Sequence, residues 1–218
     1  CVAAADGDAV ATRKLSKAVL QALVPRAPAM VGGSADLTPS CLTRVDGPAH
    51  EHDQSAATPA GRYVRYGVRE HAMAAVCNGL YAYQVGATVP YCSTFLNFLQ
   101  YCLPAVRLSA LQAFGVVYVM THDSIGLGED GPTHQPINAL ACVRAMPNAA
   151  LVRPADQNEV AAAYAVALAN RERPSVLCFT RQNVPRLAGS SFGGAQRGGY
   201  VLRYADDADR DAGADGAA

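Results

Sequence analysis

The chain has 218 residues, 50% of them hydrophobic and 17% charged, with eighteen basic and eighteen acidic side chains in balance. That is enough apolar material for one substantial core, which excludes global disorder, and the lack of a basic block excludes nucleic acid binding driven by phosphate neutralisation. No apolar run approaches the roughly 20 residues of a bilayer span, and Cys1-Val2-Ala3-Ala4-Ala5-Asp6 has no charged segment ahead of an apolar one, so neither a membrane partner nor a signal peptide is expected.

In chain order, Leu15, Val19, Leu20 and Leu23 fall at helical spacing, which predicts a helix over 12–24 with Thr12 as its N-cap. Ala29-Met30-Val31 reads as a strand ending at Gly32-Gly33. Residues 34–62, rich in Ser, Thr, Pro, Asp and His, read as a long loop, and loops of that length are often functional. A helix over 69–84 and a strand over 87–91 follow, then a helix over 94–112, bent or capped near Pro104. The β-branched run Val116-Val117-Tyr118-Val119-Met120 is a buried strand, and residues 121–136 a polar loop. A helix near 137–145, a strand at 150–152, a helix over 156–169 with Asp156 near its N-cap, and a strand at 176–179 complete the pattern. Strands alternating with helices predict an α/β fold: a mostly parallel sheet with helices on both faces. The stretch from about Asp206 to Ala218, almost all Asp, Ala and Gly, reads as a disordered tail. The seven cysteines form no CxxC pair, which points to reduced, mostly buried thiols in a cytoplasmic-type protein, an organelle being the alternative. The chain does not begin with Met and is read as a piece of something longer.

The unusual polar clusters fall on one side of this layout. Gly33-Ser34-Ala35-Asp36 follows the first strand, Cys92-Ser93-Thr94 the second, His122-Asp123 the third, Arg153 the fourth and Thr180-Arg181-Gln182-Asn183 the fifth. In an open parallel sheet ligands bind beyond the carboxyl ends of the strands, so this convergence marks a small-molecule site. Taken singly the same residues have plainer readings. Glu70 could complement a helix dipole, Asp36 and Ser40 could be turn residues, and Arg13 and Arg181 could be solvated charges. His122 could be a structural histidine, whereas His134, in a glycine-rich loop, is harder to explain by packing. Phe95, Phe98 and Tyr101 could be a core stripe. Gly126, Gly128 and Gly131 have dinucleotide spacing but lie inside a loop with no helix opening at the last of them.

Seven strings in register carry a resemblance over about residues 11–203. They are Arg13-Lys14-Leu15-Ser16, the run from Gly32 to Ser40, Arg65-Tyr66-Gly67-Val68-Arg69-Glu70-His71, Ser93-Thr94-Phe95-Leu96-Asn97-Phe98, the loop 121–136, Arg153-Pro154-Ala155-Asp156, and Arg181-Gln182-Asn183. Together they resemble the middle, pyrimidine-binding domain of transketolases. These enzymes use thiamine diphosphate and a divalent metal to move a two-carbon ketol unit from a ketose phosphate to an aldose phosphate in the pentose phosphate pathway. The resemblance divides the chain into a linker over 1–10, the pyrimidine-binding domain over 11–190 and a linker toward a C-terminal domain over 191–218. It implies that Glu70 hydrogen-bonds the cofactor's aminopyrimidine, where a carboxyl in a dry site has a raised pKa and can share a proton with a ring nitrogen. Phe95, Phe98 and Tyr101 become the aromatic pocket around that ring, with stacking of roughly 0.5–1.5 kcal/mol per pair beyond area burial. Asp36 lies near the thiazolium side. Arg13, Ser40, His122 and Arg181 hold the sugar phosphate, Asp130 reads the donor's C2 hydroxyl, and His134 contacts its C1 hydroxyl or carbonyl oxygen. Glu70, His122 and His134 are the catalytic candidates.

Two departures accompany the resemblance. Cys92 stands where the family has glycine or threonine and puts a thiol near the cofactor pocket. The family's diphosphate-binding domain carries Gly-Asp-Gly and a metal-ligating asparagine, and no Gly-Asp-Gly string occurs in this chain. No metal ligand is therefore expected here. Mg2+ or Ca2+ and the diphosphate would be held by the diphosphate-binding domain of a second subunit in a homodimer, and this chain would supply half a site, inactive alone. A related thiamine diphosphate enzyme such as deoxyxylulose phosphate synthase, or a non-catalytic regulatory module, is the alternative. The intact loop 121–136 and Arg181-Gln182-Asn183 argue against the first, and retention of Glu70, Asp130 and His134 against the second.

Overall fold

The computed structural model describes residues 9–47 and 53–202. Its strands are β1 (Met30–Ser34), β2 (Tyr63–Arg65), β3 (Val89–Phe95), β4 (Val117–Thr121), β5 (Ala150–Val152) and β6 (Ser175–Phe179). They form one sheet in the order β2-β1-β3-β4-β6-β5, and every pairing is parallel. The helices are α1 (Thr12–Leu23), α2 (Thr38–Cys41), α3 (Glu70–Tyr83), α4 (Leu99–Leu111), α5 (Ala139–Arg144), α6 (Gln157–Ala169) and α7 (Phe192–Gln196). Among the described residues no helix is long and apolar enough to cross a membrane.

The period-2 geometry of a strand sends alternate side chains to opposite faces, and a parallel sheet covered on both faces makes all of them apolar. β4 follows this residue by residue. Val117 and Val119 join a core with Leu20 of α1, Val160 and Tyr164 of α6, and Leu177 and Phe179 of β6. Tyr118 and Met120 point the other way, among Met73 and Cys77 of α3, Leu99 and Cys102 of α4, and Val143 of α5. Fully burying a side chain such as Leu or Met contributes roughly 1.5–3 kcal/mol, so these two layers carry the fold.

Several boundaries differ from the sequence reading. β3 does not stop at Tyr91: it keeps pairing with β4 as far as Phe95 opposite Thr121. Ser93 and Thr94 are therefore buried strand residues, although the sequence predicts a helix opening at Thr94, and β1 likewise takes in Ser34, predicted to open the long loop. Ser34 Oγ donates to the Ser93 carbonyl and Ser93 Oγ to the Gly33 carbonyl, both at 3.1 Å, which satisfies two hydroxyls inside the sheet. A short 3-10 turn, Leu96–Phe98, precedes α4, which runs unbroken through Pro104. Thr12 is the first helical residue, not a cap. Its hydroxyl accepts from the Thr180 amide at 2.7 Å, tying α1 to the end of β6. Asp156 does cap α6, accepting from the amides of Asn158 and Glu159. β2 lies beyond the predicted strands because three residues on a sheet edge are too few to show a period.

Near the ends of the described residues, Val10 forms an antiparallel bridge with Val184, α7 packs on α6, and Tyr200, beyond α7, donates from Oη to Glu159 Oε1 of α6 at 2.6 Å. The predicted tail from about residue 206, and residues 1–8 of the predicted linker, lie outside the described residues.

Candidate active site

Because every strand is parallel, the carboxyl ends of β1, β3, β4, β5 and β6 share one edge, and the predicted clusters meet there. The centre is His122, the residue after β4, whose backbone is left-handed at φ 58°. A non-glycine residue held in that region stores strain, and such residues concentrate where function requires a fixed direction. The strain is compensated by packing: the imidazole is 2% exposed and stacks on Phe95 with ring centroids 3.7 Å apart. Phe95 stacks in turn on Phe98 at 5.7 Å, and His134 sets its edge against both rings, at 5.8 and 5.2 Å. Tyr101 continues the series from Phe98 at 5.9 Å and is 66% exposed, so the aromatics run from the core to an open shelf. Phe95 closes a strand, Phe98 a 3-10 turn, and Tyr101 lies on α4, so they are not one helical stripe.

Charge gathers on the other side of His122. Its Nε2 lies 3.6 Å from Asp130 Oδ2, and Arg181 Nε lies 3.8 Å from the same oxygen. Arg181 also pairs with Glu129. Arg13 Nη1 donates to the Ser40 carbonyl at 2.7 Å, bringing α1 against α2. The two arginines are half-buried and close enough to act on each other: burial first, then Arg181, lowers the Arg13 pKa. Burial and then Arg13 push the His122 imidazole down to about 4, against the opposing pull of Asp130, so the ring is neutral near pH 7. Arg13 Nε and Asp130 Oδ2 are buried without a hydrogen-bond partner among the described residues. An unpartnered donor and acceptor beside two guanidiniums suit a ligand carrying both an anion and hydroxyls.

Glu70 opens α3, where its charge complements the helix dipole. It is 9% exposed, and among the described residues its carboxylate makes no hydrogen bond, although its oxygens keep contact with solvent. It acts electrostatically on Cys102, the neighbour of Tyr101. A nearly buried, unpartnered carboxylate near an aromatic shelf fits a flat heterocycle with a hydrogen-bonding edge. Asp36 stands apart, exposed and left-handed at φ 62° in the turn after β1, with no bond to the other candidates. The Cys92 thiol is fully buried in the core with Met73, Leu96 and Tyr118, and burial holds it protonated.

The loop 121–136 is pinned from several directions. Arg153 Nε donates to the buried Asp123 at 2.7 Å, Asn97 Nδ2 to the Thr133 carbonyl at 2.7 Å, and Ser124 caps the turn Ile125–Leu127. Gly126 lies under the Gln182 amide, 2.7 Å from where a Cβ would sit. Sequence reasoning did not single out Asn97, Thr121 or Cys41 as site residues. Each reads as one small or polar residue in a longer string, and no local signal marks it. Among the described residues no three His, Cys, Asp or Glu side chains gather as a metal site would require.

Comparison with known proteins agrees with this geometry. Residues 8–186 match the family described as transketolase, pyrimidine binding domain. A probable transketolase of Schizosaccharomyces pombe is 57% identical over 203 residues, covering 92% of this chain and 29% of that protein. Among solved structures, transketolase from Leishmania mexicana superimposes with a TM-score of 0.87 at 50% identity, over 92% of this chain and 30% of the other. A Pichia stipitis transketolase in complex with sedoheptulose-7-phosphate does so at 0.85 and 54%, over 91% and 30%. The chain thus spans about 30% of the length of the relatives it matches. By sequence and fold alike, this chain belongs to the transketolase pyrimidine-binding domain family.

Proposed function

We propose that the chain supplies the aminopyrimidine and sugar-phosphate half of a transketolase active site. The activity is transfer of a two-carbon ketol unit from a ketose phosphate to an aldose phosphate. The observation that carries this reading is the cluster at the end of β4. There a neutral His122 is stacked on Phe95 and flanked by Arg13, Arg181 and Asp130, with one buried donor and one buried acceptor that make no hydrogen bond among the described residues. Thiamine diphosphate, when bound, supplies the nucleophilic carbon that carries the two-carbon unit. Glu70 would hydrogen-bond the edge of its pyrimidine ring, Phe95, Phe98 and Tyr101 would hold the ring's face, and Asp36 would lie toward the thiazolium.

Arg13, Arg181 and Ser40 would bind the sugar phosphate with His122 as a neutral donor. Two guanidiniums bind a phosphate dianion strongly through bidentate, charge-assisted bonds. Asp130 would accept from the C2 hydroxyl of the donor sugar and His134 would contact its C1 oxygen. The diphosphate and its Mg2+ or Ca2+ would be held by the diphosphate-binding domain of a second subunit, making a homodimer the working form. Six free cysteines among the described residues suit a reducing compartment, cytoplasmic or organellar.

The test is Glu70→Ala in the protein assembled with its diphosphate-binding domain, assayed with xylulose 5-phosphate and ribose 5-phosphate. Ketol transfer should disappear, and turnover at the unsubstituted rate would reject the role given to Glu70. Product formation from pyruvate and glyceraldehyde 3-phosphate instead would reassign the reaction.

A further inference from the structure

Beneath the charged cluster, three side chains form an unbroken line. Cys41 Sγ lies 3.4 Å from Thr121 Oγ1, and Thr121 Oγ1 lies 2.9 Å from His122 Nδ1. Cys41 and Thr121 are completely buried. Thr121 ends β4, where pairing to Phe95 on one side and Phe179 on the other fixes its backbone. The far nitrogen of the ring, Nε2, faces Asp130 Oδ2 at 3.6 Å. Stacking on Phe95 holds the plane of the ring, so each nitrogen keeps its own partner.

A neutral imidazole has one N–H and one lone pair, and its partners decide which nitrogen has which. Thr121 has a single hydroxyl proton to place. If it goes to the Cys41 sulfur, Nδ1 must donate to Thr121. Nε2 then turns a bare lone pair toward Asp130 and toward any anion between Arg13 and Arg181. If it goes to Nδ1, the ring carries its proton on Nε2. An imidazole nitrogen is a better acceptor than sulfur, and the carboxylate 3.6 Å from Nε2 attracts an N–H there and repels a bare lone pair. The second arrangement is favoured at both ends of the line.

We propose that Thr121 is a positioning residue that holds His122 in the Nε2–H tautomer. Burial pushes the Cys41 thiol pKa up to about 11, so the sulfur beneath Thr121 stays neutral, a weaker rival than Nδ1 for the hydroxyl proton. His122 then meets its ligand as a donor. That the ligand is a sugar phosphate rests on the proposed function; the tautomer itself does not.

The test is 15N NMR of the full chain labelled at histidine, which has five histidines. His122→Asn identifies the signal. At pH 7, Nδ1 should show the shift of a bare nitrogen and Nε2 that of a protonated one, and Thr121→Ser should preserve both. Thr121→Val removes a hydrogen bond worth about 1 kcal/mol, so the preference for Nε2–H should fall roughly fivefold. Affinity for inorganic phosphate should weaken in Thr121→Val and recover in Thr121→Ser. A proton on Nδ1 of the unsubstituted chain overturns the proposal, as does a valine variant with unchanged ring shifts. If the valine variant does not fold, the unsubstituted and serine spectra decide alone. An Nε2–H ring in a chain that binds no phosphate, and that transfers no ketol unit when assembled with its diphosphate-binding domain, would uphold the tautomer and sink the transketolase reading.

Discussion

Acid should weaken this fold through His122, and the size of the effect follows from where the ring sits. In the unfolded chain a histidine takes up its proton near pH 6.5. In the folded chain burial, with Arg13, Arg181 and His134 against Asp130, holds the ring neutral down to about 4. The folded value is depressed, so the unfolded state binds the extra proton first and stability falls as pH falls. The contribution is fully present above about pH 7, declines between 6.5 and about 4, and has gone below that. The separation corresponds to a loss of at most about 3 kcal/mol, a large share of a stability that is typically 5–15 kcal/mol. Urea unfolding followed by circular dichroism at pH 7, 5.5 and 4, on the unsubstituted chain and on His122→Asn, isolates the term. Other groups titrate in both proteins, so the difference between them carries the His122 contribution. That difference should shrink toward acid pH by about the amount given. A difference that stays constant from pH 7 to 4 would refute the burial argument, and with it the claim that His122 is neutral when it meets a ligand.

Two further substitutions probe the scaffold that presents the site. A methyl group at Gly33 would lie 2.4 Å from the Val64 carbonyl oxygen and 2.4 Å from the Tyr66 ring. Backbone cannot yield as a side-chain tip can, so Gly33→Ala should destabilise by about 3 kcal/mol and displace β2 with the turn leading to Glu70. An unchanged urea midpoint would show that the edge strand is looser than described. Beneath the shelf, Ser109 Oγ donates to Asn78 Oδ1 at 2.5 Å and lies 2.7 Å from Tyr118 Oη, joining α3, α4 and β4. Ser109→Ala should cost about 1–3 kcal/mol, and much less when combined with Tyr118→Phe. Strict additivity of the two would show that no network exists.

The sequence alone determined the α/β class, the parallel sheet and the placing of most polar candidates along one edge. These rest on periodicity and on strand direction, which are written locally: Val117 to Met120 alternate between two cores because a strand has a period of two. The resemblance added names for the residues, and the strand order gathered Arg13, Ser40, Phe95, His122, Asp130 and Arg181, which lie up to 168 positions apart in the chain, as Thr12 and Thr180 do. Only the tertiary structure decided that β3 runs on to Phe95, because that length is set by its partner β4 and not by its own residues. Only it decided that Cys92 turns into the core while Cys41 lies under Thr121, since the direction of a thiol depends on strand register. Side-chain protonation follows last, because burial and neighbouring charge exist only once distant segments have met.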